Sequence, residues 1–301
     1  RTCMRLGITH QNASDYASER LAFDRGFALW QRASEVLQDT PLPPAPHALR
    51  VDWLDPQTLD PTLCSDGVSA GVIGDLFSGL VESGPDFDLV PDVARSWQIS
   101  EDRRTYVFHL RDDVRWSDGM PVTASDFVFA WRRRLDPAQP AKLAETLFDV
   151  KNARAYHQGD LAYADQIGVQ ALDDRTLVVE LEEPTGYFLQ LLALLRAYPV
   201  PQHAVERLGE GWTETENIVT NGPFFLKTRQ PGRSMVLVRN PNYHGRFLGN
   251  VTQEEFSLVE GWRKPETVIV HDHYWTAHAR HADIVFPSAT MMERNDIAAL
   301  Q

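Results

Sequence analysis

Alternating apolar and polar positions predict strands along the middle of this 301-residue chain. Large apolar residues recur at every second position in residues 104–111 and again in 176–181, as in strands with one buried face. Two further apolar runs, 223–227 and 235–239, flank the sequence Gln-Pro-Gly-Arg, which predicts a hairpin closed by a Pro-Gly turn. The pattern therefore indicates paired strands rather than isolated ones.

Helical signals are interleaved with these strands. The sequence Thr-Ala-Ser-Asp at 123–126 is a capping box, and the apolar residues after it predict a helix. The apolar run 186–195 predicts another helix. Near the start of the chain, Ser14 as a cap and aromatic residues at helical spacing predict an amphipathic helix of about 22 residues. Four prolines within 41–46 favour an extended linker after it.

Composition narrows the classes of protein that fit. Hydrophobic residues make up 43% and charged residues 24%, which is typical of a globular protein with a sizeable core. Strands and helices mix without strict alternation, so we expect an α/β fold. A net charge of -13 argues against a nucleic-acid partner, because an acidic surface repels phosphates. The chain has no apolar run near the ~18 residues that a membrane span needs.

The sequence has few of the residue patterns that carry catalysis. It contains no glycine-rich phosphate loop, GxSxG or HExxH motif, so we expect a protein that is not an enzyme and holds no cofactor or metal. Cys3 and Cys64 leave a single disulfide open as an alternative. Histidines at 271, 273, 278 and 281 leave open a zinc site, the other interpretation being surface and packing residues. Four tryptophans beside turns suit the core or a ligand cleft, and we favour the core: Trp97, Trp116, Trp131 and Trp212.

An ordered series of short segments gives a more specific indication. It includes Leu-Asp-Pro at 59–61, Trp-Ser-Asp-Gly at 116–119, Val-Thr-Asn-Gly-Pro at 219–223 and Asn-Pro-Asn-Tyr at 240–243. In this order the segments resemble the oligopeptide-binding proteins of bacterial ABC importers, the family 5 solute-binding proteins. The resemblance covers about residues 48–259.

The resemblance implies a fold, a function and partners. The fold is α/β of the periplasmic-binding-protein type II, in which two lobes close on an extended peptide. The function is that of a substrate-binding component of an ABC-type oligopeptide importer, with short peptides and a membrane permease as partners. The resemblance also implies a monomer in the periplasm or cell envelope, although no signal peptide is visible in the chain.

The resemblance also carries over a set of ligand-binding residues. The loop after Leu-Asp-Pro contacts the ligand backbone in the family, and in this chain it supplies Ser65, Asp66, Gly67 and Val68. Relatives often have a glutamate where Ser65 stands, so a charged contact is expected to be absent. The turn Asn221-Gly222 borders the cleft, and Tyr243 in the last segment completes the predicted set. Ordinary turn chemistry is the alternative interpretation.

The last part of the chain resembles a different family. The run Ala-Arg-His-Ala-Asp-Ile-Val at 279–285 and Glu-Arg-Asn-Asp at 293–296 are similar to a piece of the molybdopterin oxidoreductases of the dimethyl-sulfoxide reductase type. Apolar runs at 267–270 and 282–286 predict two short strands there. We therefore expect three parts: an N-terminal helix and linker (1–47), a partial solute-binding domain (48–259) and an appended βα fragment (260–301).

The expected solute-binding domain is incomplete, because the continuation that builds the second lobe in the family is not recognisable after about residue 259. Two alternative functions remain open at this point. One is a fragment of a molybdopterin-dependent sulfoxide or N-oxide oxidoreductase. The other is a folded chimera without activity.

Overall fold

The computed structural model describes residues 47–52, 54–83, 88–139, 143–245, 251–257, 269–272 and 284–287, together with Arg25. Apart from Arg25, the predicted N-terminal helix and the proline-rich linker lie outside the described residues. Cys3, His278 and His281 lie outside them as well. The division into three parts at residues 47 and 259 therefore stays a prediction.

The described strands, in chain order, are β1 (His47–Asp52), β2 (Val81–Ser83), β3 (Leu89–Pro91), β4 (Ala94–Ile99), β5 (Thr105–Leu110), β6 (Val169–Asp173), β7 (Thr176–Glu180), β8 (Phe224–Gln230), β9 (Ser234–Arg239), β10 (Val251–Ser257), β11 (Ile269–Asp272) and β12 (Ile284–Pro287).

The α-helices with described bounds are α1 (Gly67–Leu76), α2 (Ala124–Leu135), α3 (Ala153–His157), α4 (Phe188–Leu192) and α5 (Gln202–Leu208). Short 3-10 helices occur at Ala144–Leu147, Ala164–Gln166, Leu195–Ala197 and Gly209–Thr213. The interleaving of strands and helices confirms the predicted mixed α/β class.

Two four-stranded sheets organise the described chain. The first has the order β1-β10-β9-β8, in which β1 runs parallel to β10 and the other neighbours are antiparallel. The second has the order β4-β5-β7-β6 and is antiparallel throughout. Helix α1 packs against β8, and α2 packs against β6 and β7. Each sheet is therefore covered on one face by a helix.

Local sequence signals explain the second sheet. In β5 the buried residues are Tyr106, Phe108 and Leu110, so the alternation seen in the sequence is the burial pattern of the strand. The predicted strand 176–181 is β7, which pairs with β5. The capping box at Thr123 is formed, with the Asp126 carboxylate accepting from the Thr123 backbone N–H at 2.8 Å, and α2 starts there.

The first sheet contains the predicted hairpin, and the C-terminal strands are displaced from their predicted positions. Strands β8 and β9 are joined by the turn at 231–233, where Gly232 has a φ of 69°. The strand predicted at 267–270 occurs two residues later as β11, and the one predicted at 282–286 starts at Ile284 as β12. The two pair with each other in parallel, separately from the other described sheets.

The predicted helix over 186–195 is wrong in its extent. Helix α4 covers only Phe188–Leu192, and a separate 3-10 helix follows at Leu195–Ala197. Phe188 and Leu192, one turn apart, are both fully buried, whereas Leu194 is 41% exposed. The break places Ala197 so that its carbonyl accepts from Trp131 Nε1 at 2.9 Å.

The tryptophans lie in the core, as predicted. Trp97, Trp116, Trp131 and Trp212 are at most 1% exposed. The indole nitrogens of Trp116 and Trp212 donate to the carboxylates of Asp126 and Asp60, which satisfies a polar group that burial would otherwise leave without a partner.

Within the ranges described above, no helix is long and apolar enough to cross a bilayer.

Candidate functional site

Helix α1 positions both groups of predicted ligand-binding residues, one group at each end. Its N-terminal end carries the loop Ser65–Val68, and its C-terminal end meets the turn Asn221-Gly222. A helix of ten residues is about 15 Å long. The structure therefore does not bring the two groups into one cluster.

At the N-terminal end, Asp66 is the capping residue of α1. Its carboxylate accepts from the Ser69 backbone N–H at 2.8 Å, and this bond holds the pKa of Asp66 below its usual range. Ser65 and Val68 are half-buried and Gly67 is exposed. A Cβ placed on Gly67 would meet no atom within 4 Å, so the surface over this residue is open.

The loop before α1 is held in place by a buried carboxylate. Asp60, 2% exposed, accepts from Arg133 Nη1 at 2.6 Å and from Trp212 Nε1 at 3.3 Å. Its other oxygen accepts from the backbone N–H and the hydroxyl of Thr62. Both oxygens of this buried charge are satisfied, so the loop is held rigidly against α2.

A second arginine of α2 supports the same loop. Arg134 is fully buried and its Nη2 donates to the Pro61 carbonyl at 2.6 Å. Burial, followed by the neighbouring Arg196, lowers the pKa of Arg134 to about 10, so the side chain remains a cation at neutral pH. Neither arginine is recognisable from the sequence, because each is 73 positions from its partner and so leaves no local pattern.

Cys64 is the remaining buried residue of this loop. It is a fully buried, free thiol, which removes the alternative of a disulfide with Cys3. Its Sγ donates to the Asp66 carbonyl at 3.6 Å. Burial raises the pKa of the Cys64 thiol, so the side chain packs as a neutral group.

At the C-terminal end of α1, Asn221 is bonded inside the protein. Its Oδ1 accepts from the Ser78 backbone N–H and its Nδ2 donates to the Ser78 carbonyl, both at 3.0 Å. Asn221 has no exposed surface. The side chain therefore pairs with the backbone of Ser78 as a neighbouring strand would.

Gly222 is required by close packing of two backbones. Its N–H donates to the Leu76 carbonyl at 2.9 Å, and a Cβ on Gly222 would lie 2.5 Å from the Leu76 carbonyl carbon and the Phe77 nitrogen. Its own carbonyl accepts from Asn240 Nδ2 at 2.9 Å. The bonds of Asn221 and Gly222 account for the turn structurally, and their contact with a ligand stays a prediction.

Tyr243 is half-buried and lies near Ser78, the residue to which Asn221 is bonded. Its hydroxyl hydrogen-bonds with the Ser78 side chain, and burial, followed by Asp92, raises the pKa of Tyr243 well above its usual range. The next residue, His244, is bonded through Nε2 to Asp92 at 2.6 Å. Tyr243 is thus neutral and close to the predicted turn, but not to Ser65–Val68.

The described residues offer no grouping for a metal. Among them, no set of three or more histidine, cysteine, aspartate or glutamate side chains could hold an ion. His271 belongs to β11, whose side chains are not described, and His273 lies outside the described residues. The zinc alternative at 271–281 and the expectation of no cofactor both stay predictions.

The class of protein follows from comparison of this α/β chain with known families. Residues 88–262 match the bacterial extracellular solute-binding proteins, family 5 Middle, over more than half of the chain. The chain belongs to this family. The family binds solutes, so its membership favours a protein that is not an enzyme.

Individual relatives agree with this assignment. The chain is 38% identical over 230 residues to the probable deoxycholate-binding periplasmic protein YgiS of Escherichia coli K12, covering 76% of this chain and 43% of that protein. It is 41% identical over 197 residues to the periplasmic oligopeptide-binding protein OppA of E. coli K12, covering 62% of this chain and 34% of that protein.

A solved structure confirms the fold. Haemophilus influenzae OppA in complex with RPPGFSPFR matches with a TM-score of 0.67 and 35% identity, covering 73% of this chain and 43% of that one. The predicted family and the partial periplasmic-binding-protein fold are therefore confirmed. The chain spans less than half the length of the curated relatives named above. The resemblance of 260–301 to molybdopterin oxidoreductases is not shown by these matches and stays a prediction.

Proposed function

We propose that this chain is part of the substrate-binding component of an ABC-type oligopeptide importer and that Ser65–Val68 contacts the backbone of a bound peptide. The observation that carries the proposal is the open surface over Gly67 on an otherwise fixed loop. A glycine without neighbours allows the main chain of a ligand to approach closely. The relatives are named for periplasmic oligopeptide binding, which supports the class of ligand.

Binding of this kind uses main-chain groups more than side chains. The Asp66 carboxylate is occupied by Ser69, so Asp66 holds the loop rather than the ligand. Main-chain hydrogen bonds are available from any peptide, and the proposal therefore includes broad sequence tolerance. The proposed partners are short peptides and an ABC permease, and the proposed setting is a monomer in the periplasm or cell envelope.

The affinity of this chain alone is expected to be low. A cleft that closes on its ligand from two sides shares the contacts between both sides, and the described residues provide one. Loss of half the contacts costs ~4 kcal/mol, about a thousandfold in affinity. Submicromolar binding of tripeptides in calorimetry would contradict this expectation.

The test combines a blocking substitution with a matched control on the same helix. Gly67→Val places a branched side chain on the open surface, and Gly74→Val does the same at an exposed position of α1 where a Cβ also meets no atom within 4 Å. We expect millimolar trialanine to shift the amide NMR signals of residues 65–68 in the parent and in Gly74→Val, but not in Gly67→Val. Equal shifts in all three proteins, or none in the parent, would refute the proposed contact.

A further inference from the structure

A groove of about 740 Å³ lies along α2. Its walls come from α2, α5 and β6, with Tyr156 of α3 at one side. None of the residues Ser65–Val68 lines it. Its volume is in the range that accommodates a small organic molecule.

The floor of this groove is apolar. Val128 and Val205 are its most buried lining residues, at 9% and 8% exposure. Phe129 and Ala171 are half-buried beside them. Such a floor favours a hydrocarbon or aromatic body over a strongly hydrated ligand.

Several charged residues of the groove are already bonded within the protein. Arg133 is bonded to Asp60, Glu206 accepts from Gln202, and the Asp136 carboxylate accepts from the Ala138 backbone N–H. Their side chains are therefore engaged before any ligand arrives.

Arg132 differs from these lining residues. Its Nε is buried, and it has no hydrogen-bond partner within the described part of the chain. A buried donor without an acceptor is costly, so the groove is suited to a ligand that supplies one. Tyr156 also lines the groove, and burial, followed by the charge of Asp136, raises the pKa of its hydroxyl, whereas Arg132 lowers it.

We propose that the groove binds an amphipathic monocarboxylate, with its carboxylate on Arg132 and its apolar body over Val128 and Val205. A carboxylate matches the fork of guanidinium donors. The acidic side chains Asp136 and Glu206 in the lining select against a second negative charge on the ligand. This site is separate from the proposed peptide contact and does not depend on it.

The experiment uses the full chain with valine methyl groups labelled for NMR and decanoate below its micelle concentration as the probe. We expect saturable shifts of the Val128 and Val205 methyls, and about tenfold weaker binding in Arg132→Gln. Arg207→Gln removes an exposed charge from α5 outside the groove and is expected to leave binding unchanged.

A second comparison keeps the proposal testable if Arg132→Gln does not fold. The uncharged analogue 1-decanol is expected to bind the parent chain about tenfold more weakly than decanoate, because it offers no charge to Arg132. Equal binding of the two probes would overturn the role of Arg132. Decanoate shifts at residues 65–68 without shifts at Val128 and Val205, or no saturable shifts, would overturn the groove as the site.

Discussion

A pair of carboxyl groups between α1 and the first sheet links the stability of this protein to pH. Asp75 lies in the last turn of α1 and hydrogen-bonds with Glu254 on β10. Glu254 is the cross-strand partner of the fully buried Leu237, so it shares the core-facing side of the sheet. Within the described residues, Glu254 Oε2 has no hydrogen-bond partner.

These surroundings favour the protonated forms. Burial raises the pKa of Asp75 to about 6, and burial together with the Asp75 charge raises the pKa of Glu254 to about 7. Because both pKa values are higher in the folded chain than in the unfolded chain, the folded chain binds these protons more tightly. The protonated Asp75–Glu254 pair therefore contributes its full stabilisation below the unfolded pKa values near pH 4. This stabilisation is lost as the pH rises through about 6 to 7.

The magnitude follows from the shift of Asp75. Its pKa rises from 3.8 to about 6, and at 1.36 kcal/mol per pKa unit this shift corresponds to ~3 kcal/mol. Asp75→Asn keeps the shape of the side chain and supplies an N–H donor to Glu254 at all pH values. We expect the variant to be more stable than the parent by ~2–3 kcal/mol at pH 8 and equally stable near pH 4.

The assay is urea unfolding followed by tryptophan fluorescence at pH 4.5, 6, 7 and 8, because the four core tryptophans report loss of the fold. Subtracting the parent from the variant removes the contribution of titrating groups that do not interact with Asp75, and the remaining difference belongs to the Asp75–Glu254 pair. Asp160→Asn, at an exposed position, is the matched control and should show no pH-dependent difference. A gain from Asp75→Asn that is the same at every pH, or a loss at pH 8, would refute the argument.

Three further predictions concern the fixed loop, the helix ends and the tail. Arg133→Met leaves the buried Asp60 charge without its cation and should lower the free energy of unfolding in urea by ~3–5 kcal/mol. Adding Asp60→Asn should recover part of this loss. A single variant as stable as the parent would contradict the prediction. Gly222→Ala should cost ~1–3 kcal/mol because its Cβ meets backbone atoms, whereas Gly67→Ala should be neutral or slightly stabilising; equal costs would contradict the packing argument. Ending the chain at Val259 should change stability by no more than ~2 kcal/mol, and a truncated chain that does not fold would show that residues 260–301 are integral.

Local elements of the fold could be predicted because their causes lie within a few residues. The alternation in β5 is its burial pattern, and the capping box at Thr123 starts α2. The extent of α4 could not be predicted in this way. Residues 188–195 are mostly apolar, so periodicity does not show where the helix ends, and the 3-10 helix that follows makes a contact with Trp131, 66 positions away, that no local pattern signals.

The site was less predictable than the fold for the same reason. The sequence marked the loop Ser65–Val68 through a resemblance, but not the arginine that fixes it. Arg133 and Asp60 are 73 positions apart, and nothing near either residue signals the pair. Asp75 and Glu254 likewise meet only when α1 packs beside the first sheet. Long-range polar pairs of this kind can be recognised only from the tertiary structure.

The geometry of α1 separates the predicted ligand-binding residues into two kinds. An extended peptide advances about 3.3 Å per residue, so a ligand that touched both ends of this helix of about 15 Å would need about five residues. Asn221 and Gly222 are buried and bonded at one end, whereas Gly67 is open at the other. A tripeptide can therefore reach only one end, and the exposed end is the one that offers it a surface. In the proposed binding mode a short ligand therefore contacts Ser65–Val68 alone, whereas Asn221 and Gly222 hold the opposite end of α1 in place.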